Sequence, residues 1–397
     1  MRREVNVAIG VLIVSFSLLF ALNSEMTSKY TPNFFTYEKD IRQIFNYTSP
    51  QSLDRSWLNV PHRGNVSICQ PNGNIAFLKT HKTGSTTLRN ILNRYGVSNN
   101  LSFILSNKSS AGHVFRRLKG MPLKSLLPPI GVAVGDYKRY QFNITNVHMR
   151  PDWKELRQLM NPSTSYITIL RHPVDQWLSS FQYFHHVNKV KKFLHLEPDP
   201  VKAFLKFRNK LGSSATSICN QQIRDIEYSS EYTHLQNTAY VQKKIEEYSK
   251  LFSLVLITEY FDESLILLKR LLCWKFEDIL YLKMREQPNP LQADSSSREQ
   301  IQELNKADMM LYTHFNETFW QMVDEYGPEF EKDLRYFRDY LTAMQEECVG
   351  ESKVAIVAGN HENVRYNVKN NSANCTNYVA YTSSGDALRR QRHSLSQ

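Results

Sequence analysis

What the chain lacks narrows it first. None of its 14 glycines stands in the G-x-x-x-x-G-K-[ST] order of an NTP-binding P-loop, which argues against an ordinary kinase or GTPase. Zinc-finger spacing, an RNP-like motif and long Lys/Arg blocks are missing. The net charge of +11 and pI near 9.2 therefore suit an acidic partner other than nucleic acid. The five cysteines, Cys69, Cys219, Cys273, Cys348 and Cys375, are too scattered for a zinc site or a C-x-x-C redox motif. In an oxidising compartment they make one or two disulfides and leave at least one thiol unpaired. Cys273, inside Leu271-Leu272-Cys273-Trp274, reads as a buried thiol.

Long apolar runs are also scarce. The exception is Val5 to Leu22, 18 residues broken only by Asn6, Ser15 and Ser17 and preceded by Arg2 and Arg3. Such a run just spans a bilayer with its positive end cytoplasmic. No A-x-A site follows it, which favours a signal-anchor over the alternative, a cleaved signal peptide. The chain then divides into a cytoplasmic tail (1–4), a transmembrane anchor (5–22), a polar lumenal stem (23–70), a catalytic domain (71–350) and a polar C-terminal tail (351–397), disordered after 380. Eight N-x-[ST] triplets, at Asn46, Asn65, Asn100, Asn107, Asn143, Asn316, Asn370 and Asn374, fit lumenal exposure.

What is present centres on residues 74–96. Ile75 to Leu78 form a short apolar strand, followed by the basic, hydroxyl-rich turn Lys79-Thr80-His81-Lys82-Thr83-Gly84-Ser85-Thr86-Thr87. A helix follows, with Leu88, Ile91, Leu92 and Tyr95 on one face and Gly96 as its stop. Strand, tight turn and helix cup an anion, because the first helical N–H groups have no intrahelical partner. Gly84 permits close approach, Lys82 brings charge, and Ser85, Thr86 and Thr87 bring hydroxyls. The plainer reading is a Ser/Thr-rich helix cap.

A second anchor is Tyr166-Ile167-Thr168-Ile169-Leu170-Arg171-His172-Pro173. A buried strand ends in Arg171, and Pro173 opens a helix that buries Val174, Trp177, Leu178 and Phe181. Ser179 lies opposite that face. Arg171 offers a forked cation and Ser179 a hydroxyl for phosphate, although an arginine there is often only an ion-pair partner. His148 follows a short strand from Phe142 and suits general-base work. Leu254 to Ile257 make another buried strand; Glu259 beyond it reads as a structural acceptor and Asp262 as a helix cap. His185 and His186 lack a third ligand at metal spacing, so no metal is expected. Residues 298–347 read as helices.

Lys82-Thr83-Gly84-Ser85-Thr86-Thr87 after a strand resembles the 5′-phosphosulfate loop of sulfotransferases, and Phe77 to Thr83 resembles the galactose 3-O-sulfotransferases in particular. Arg171-x-Pro173 with Ser179 is similar to the 3′-phosphate element of sulfotransferases. Asn146-Val147-His148-Met149-Arg150 is similar to the family's Asn-His-Met-Arg segment, with Val147 as a departure. Glu259 to Trp274 and His314 to Trp320 are similar as well. The resemblance implies an α/β, P-loop-like sulfotransferase fold with a central parallel sheet flanked by helices. It implies PAPS (3′-phosphoadenylyl sulfate) as co-substrate, held by Lys82, Thr83, Gly84, Ser85, Thr86, Thr87, Arg171 and Ser179. Lys82 and His148 would be catalytic, with His81 as the competing base. No metal is implied. The acceptor would be a terminal β-galactose at its 3-hydroxyl, on galactosylceramide and related galactolipids or on glycoprotein glycans, at the Golgi membrane. A Cys348–Cys375 bridge is also implied. The rivals are a nucleotide kinase on the same scaffold and a catalytically silent lumenal binder.

Overall fold

Four short strands carry the fold: β1 (Ile75–Leu78), β2 (Ile144–Thr145), β3 (Ser165–Leu170) and β4 (Leu254–Ile257). All are parallel and almost wholly buried, as expected for apolar runs without alternation in a sheet covered on both faces. Their order is β2-β1-β3-β4, with Ile75 beside both Ile144 and Ser165 and Ile167 beside Leu254. The chain changes direction across the sheet between β1 and β3, the switch point at which α/β proteins open a ligand crevice beyond the strand C-termini. This computed structural model describes residues 55–59, 62–63, 66–67, 69–107, 123–227, 233–283, 290–357, 361–379 and 390–391. The apolar run 5–22 lies outside them. Among the described residues no helix is long and apolar enough to cross a membrane.

The longer helices are α1 (Ser85–Ser98), α2 (Trp153–Leu159), α3 (Pro173–Tyr183), α4 (Pro200–Phe207), α5 (Gln221–Ile226), α6 (Thr238–Leu251), α7 (Phe261–Leu272), α8 (Ser295–Leu304), α9 (Lys306–Tyr326), α10 (Glu329–Cys348) and α11 (Ala373–Val379). The expected faces are the buried ones. Leu88, Ile91, Leu92 and Tyr95 of α1 are covered, and so are Val174, Trp177, Leu178 and Phe181 of α3. Trp177 stacks on Phe181 at 4.9 Å and meets Phe204 of α4 edge-on. Each such ring contributes roughly 2–3 kcal/mol by leaving water.

Five expectations change. Gly96 does not stop α1, which runs on to Ser98; a Cβ there would lie 2.5 Å from Phe103 and 2.6 Å from Ile144, so the glycine serves close packing against β2. Cys273 is not a free thiol but is bridged to Cys69, while Cys348 pairs with Cys375 as the resemblance implied and Cys219 stays a buried thiol. Asp262 does not cap α7; it lies inside the first turn, where its carboxylate takes Arg338 Nε at 3.1 Å and the Tyr281 hydroxyl at 2.8 Å. Ordered structure begins before residue 71, for Ser56–Asn59 form a turn with Leu58 buried and its carbonyl accepting from Arg270. Nor is the segment from 351 onward only a polar tail. Strands β5 (Val349–Val357) and β6 (His361–Val368) form an antiparallel hairpin, and Gln391, fully buried, bonds both backbone groups of Phe103.

Candidate active site

The turn after β1 is built by left-handed residues. Lys82 has φ 61° and Gly84 φ 70°, and the glycine relieves the second position of a Cβ penalty. The turn is tied to β3 and β4 from below. Thr80 Oγ1 donates to the Ile169 carbonyl at 2.6 Å, Ser85 Oγ donates to the Thr80 carbonyl at 2.6 Å, and Thr258 Oγ1 reaches the Thr83 and Leu170 carbonyls. No side chain caps the N-terminus of α1. The plainer reading of a Ser/Thr cap therefore does not hold, and a 14-residue helix presents its positive end to the crevice.

That end opens on a cavity of about 680 Å³ lined by Lys79, His81, Lys82, Gly84, Ser85, Thr86, Thr87, His148, Arg171 and Ser179. The sequence-predicted residues thus meet in one place, with one exception. The Thr83 side chain is buried beneath the loop, its hydroxyl 2.7 Å from that of Thr80, and it does not line the cavity. Arg171 and Ser179 stand on the wall made by the end of β3 and by α3, and Arg171 Nη1 donates to the Lys82 carbonyl at 3.3 Å. Lys82 Nζ rests 3.9 Å above the Tyr183 ring. Lys79 is buried and donates to Ser85 Oγ at 2.7 Å, adding a second cation to the loop. Tyr183, Phe184, Phe261, Tyr281 and Lys283 also line the cavity; they come from three separate segments.

Two histidines stand beside the loop. His148 Nδ1 lies 3.1 Å from the Lys79 carbonyl. A carbonyl only accepts, so Nδ1 carries the proton and Nε2 the lone pair. Burial, then the charges of Lys79, His81 and Arg89, hold the His148 ring well below the ordinary histidine range, so it stays neutral. His81 has a different setting. Asp225 of α5 receives its backbone N–H at 2.7 Å and faces its Nδ1 at 2.8 Å. The carboxylate fixes the ring, with Nδ1–H towards Asp225 and Nε2 left as the base atom. Asp225 is 144 positions from His81, and nothing local in the sequence points to it.

Glu259 is structural, as expected. It accepts the His172 amide at 2.8 Å and the Tyr312 hydroxyl at 3.2 Å, and burial raises its carboxyl. His186 is buried and pushed down to about 4 by that burial. Among the glycosylation triplets, Asn100, Asn370 and Asn374 are exposed and Asn107 is half-buried. Asn316 is 3% exposed inside α9, where a glycan has no room, and Asn143 is half-buried with its amide donating to Asn74. Asn46 and Asn65 lie outside the described residues.

A sequence model of the galactose-3-O-sulfotransferases matches residues 2–367. The chain belongs to that family. Among its relatives, the galactosylceramide sulfotransferase of Homo sapiens is 36% identical over 317 residues (76% of this chain and 70% of that one). That of Mus musculus is 34% identical over 304 residues, 73% and 67% of the two chains. Galactose-3-O-sulfotransferase 3 of Homo sapiens is 32% identical over 285 residues, 70% and 63% of the two chains. Membership in this sulfotransferase family fits what the cavity offers, an anion cradle with two lysines and an arginine next to a carboxylate-held histidine.

Proposed function

We propose that this protein transfers the sulfuryl group of PAPS to the 3-hydroxyl of a terminal β-galactose, with galactosylceramide and related galactolipids as acceptors. The observation that carries the reading is the meeting of the uncapped α1 loop, the Arg171–Ser179 wall and His81, its ring held by Asp225, in one cavity. The volume, about 680 Å³, is in the range that encloses a ligand of nucleotide size. The residues fit PAPS at both ends. Arg171 and Ser179 would take the 3′-phosphate, which separates PAPS from ATP. Gly84, Ser85 and Thr86 would take the 5′ side on backbone N–H groups, and Thr86 and Thr87 on hydroxyls.

The reaction is an in-line displacement in which positioning and charge stabilisation do most of the catalysis, by analogy with phosphoryl transfer. Lys82 leaves its place over Tyr183 and neutralises charge on the departing phosphate oxygen. His81 Nε2 takes the proton of the galactose hydroxyl while Asp225 steadies the ring. The sulfur–oxygen bond to the donor breaks as the bond to the galactose oxygen forms, and PAP is released. His81 takes the base's role in this reading in place of His148, because of the two only His81 has a carboxylate partner, and burial and neighbouring cations oppose the uptake of a proton by His148.

The cellular setting belongs to the same proposal. Residues 5–22 would anchor the chain in the Golgi membrane as a single-pass type II protein with the catalytic unit in the lumen. Two disulfides and the exposed glycosylation triplets support an oxidising, secretory compartment. The preference for galactolipids rests on the names of the relatives with 34–36% identity.

The test is sulfate transfer from labelled PAPS by the detergent-solubilised full chain, offered galactosylceramide, lactosylceramide and a Gal-terminated disaccharide side by side. Product on the lipids is expected. Product on the disaccharide alone would keep the chemistry and move the acceptor to glycans. Near-normal turnover by Lys82→Ala would sink the mechanism.

A further inference from the structure

The short helix α5 carries no motif, yet its polar side chains reach two sides of the cavity. Gln222, fully buried, bonds both backbone groups of Arg171: its Oε1 accepts the Arg171 amide at 2.8 Å and its Nε2 donates to the Arg171 carbonyl at 2.9 Å. Three residues on, Asp225 holds both the backbone and the ring of His81. Gln221 Oε1 accepts from Gln176 Nε2 and Ser180 Oγ of α3, each at 2.7 Å, and Gln176 Nε2 also donates to the His81 carbonyl at 2.9 Å.

Six residues of helix do not hold themselves in place. Here the support comes from α9. Asp308, buried to 1% exposure, accepts the amides of Gln222 at 3.0 Å and Ile223 at 2.8 Å. Asn305 Oδ1 accepts the Asn220 amide at 2.8 Å, and Asn220 Oδ1 accepts the Asp308 amide at 3.1 Å. Asn220 itself is left-handed, φ 49°, so the helix start is bent to meet this support.

We infer that α5 is a positioning bracket that fixes His81 and Arg171 in one relation, with Gln222 and Asp225 as its two contact residues and Asp308 as its anchor. The inference deepens the proposed function and rests on it, because it gives His81 the acceptor's proton and Arg171 the donor's 3′-phosphate. The bracket joins the two half-sites through one rigid turn. Neither Gln222 nor Asp225 needs to touch a substrate; each acts through the residue it holds. Errors of about 1 Å in such settings lower rates by as much as 10²-fold.

The experiment uses the full chain and three variants, with PAP binding by calorimetry, single-turnover sulfate transfer at saturating PAPS, and thermal melting. Asp225→Asn is expected to lower the transfer rate at least 10-fold with PAP affinity unchanged, and Asp225→Glu to recover part of it. Gln222→Met is expected to weaken PAP binding at least 5-fold while transfer at saturating PAPS falls less. Asp308→Asn is expected to impair both. Wild-type protein that fails to bind PAP would defeat the proposed function and the bracket with it. Wild-type binding with Gln222→Met matching it, or Asp225→Asn and Gln222→Met losing binding and rate in equal measure with their melting temperatures, would overturn the bracket and leave the proposed function standing.

Discussion

The imidazoles of His81 and His148 lie face to face, ring centroids 4.0 Å apart and planes 14° from parallel. Two imidazolium ions so placed would repel by about 4 kcal/mol at an effective dielectric near 20. One ring must therefore stay neutral. His148 is that ring, its Nδ1–H held by the Lys79 carbonyl and its protonation opposed by burial and by Lys79 and Arg89.

This division of roles predicts unequal mutants. His81→Ala is expected to lower kcat by roughly 10²–10⁴-fold, the usual worth of a general base. His148→Ala removes a stacking surface and is expected to cost about 10-fold. Both variants keep PAP affinity. A rate loss larger in His148→Ala than in His81→Ala would reverse the assignment.

Buried histidines make stability depend on pH. His172, His186 and His314 are each pushed down to about 4, chiefly by burial, whereas they titrate near 6.5 when unfolded. The unfolded chain therefore binds more protons between those values, so this stability is complete above about pH 6.5 and is lost as pH falls towards 4. Asp308, raised to about 7 by burial, acts oppositely over nearly the same window and cancels part of the slope. Glu259, Glu263 and Asp278, also raised by burial, act in Asp308's direction, while His148, held well below its usual range, acts with the other histidines. The melting temperature is expected to drop clearly from pH 7 to pH 5, and His314→Gln to lessen the drop. Equal melting at the two pH values would contradict the buried neutral rings.

The parts legible in the sequence are those whose pattern is local. The loop from Lys79 to Thr87 and the Arg171–Ser179 element each sit on a strand and the helix after it, so residue type and spacing bring them, Thr83 excepted, to one cavity. Asp225 and Gln222 could not be read that way, because their helix is held by Asp308 and Asn305 from more than 80 positions away. Asp262 misleads for the same reason: Arg338, 76 positions on, claims the carboxylate that local pattern assigns to a cap. Thr83 sits among three useful hydroxyls and shares their chemistry, but the left-handed turn aims it inward.

Gly96 marks the contact of α1 with β2. Its Cα faces Phe103 and Ile144, and even a methyl would enter both side chains. Helix propensity alone favours alanine by about 0.8–1 kcal/mol, so a surface glycine would gain from the change. Gly96→Ala is expected instead to destabilise by about 1–3 kcal/mol, the usual effect of overpacking. Because β2 leads to His148, the variant's kcat is expected to fall with its stability. A raised melting temperature would mean that the core opens freely there.

The two disulfides close loops of very different length. Cys69 and Cys273 are 204 positions apart, Cys348 and Cys375 only 27. On chain-entropy grounds those separations correspond to roughly 5 and 3.5 kcal/mol of stabilisation. The first bridge also joins the chain just before β1 to the end of α7, and Asn72 accepts the Trp274 indole N–H at 3.0 Å beside it. It therefore holds the strand that delivers Lys79, His81 and Lys82. The Cys69→Ser/Cys273→Ser protein is expected to melt lower than the Cys348→Ser/Cys375→Ser protein and to lose more transfer activity at 37 °C. Cys219 has no part in this, since burial pushes its thiol up to about 12, and it is expected to resist alkylation until the chain unfolds. A larger loss from the Cys348–Cys375 pair would show that the hairpin of β5 and β6, and not the entry to β1, is what the disulfides protect.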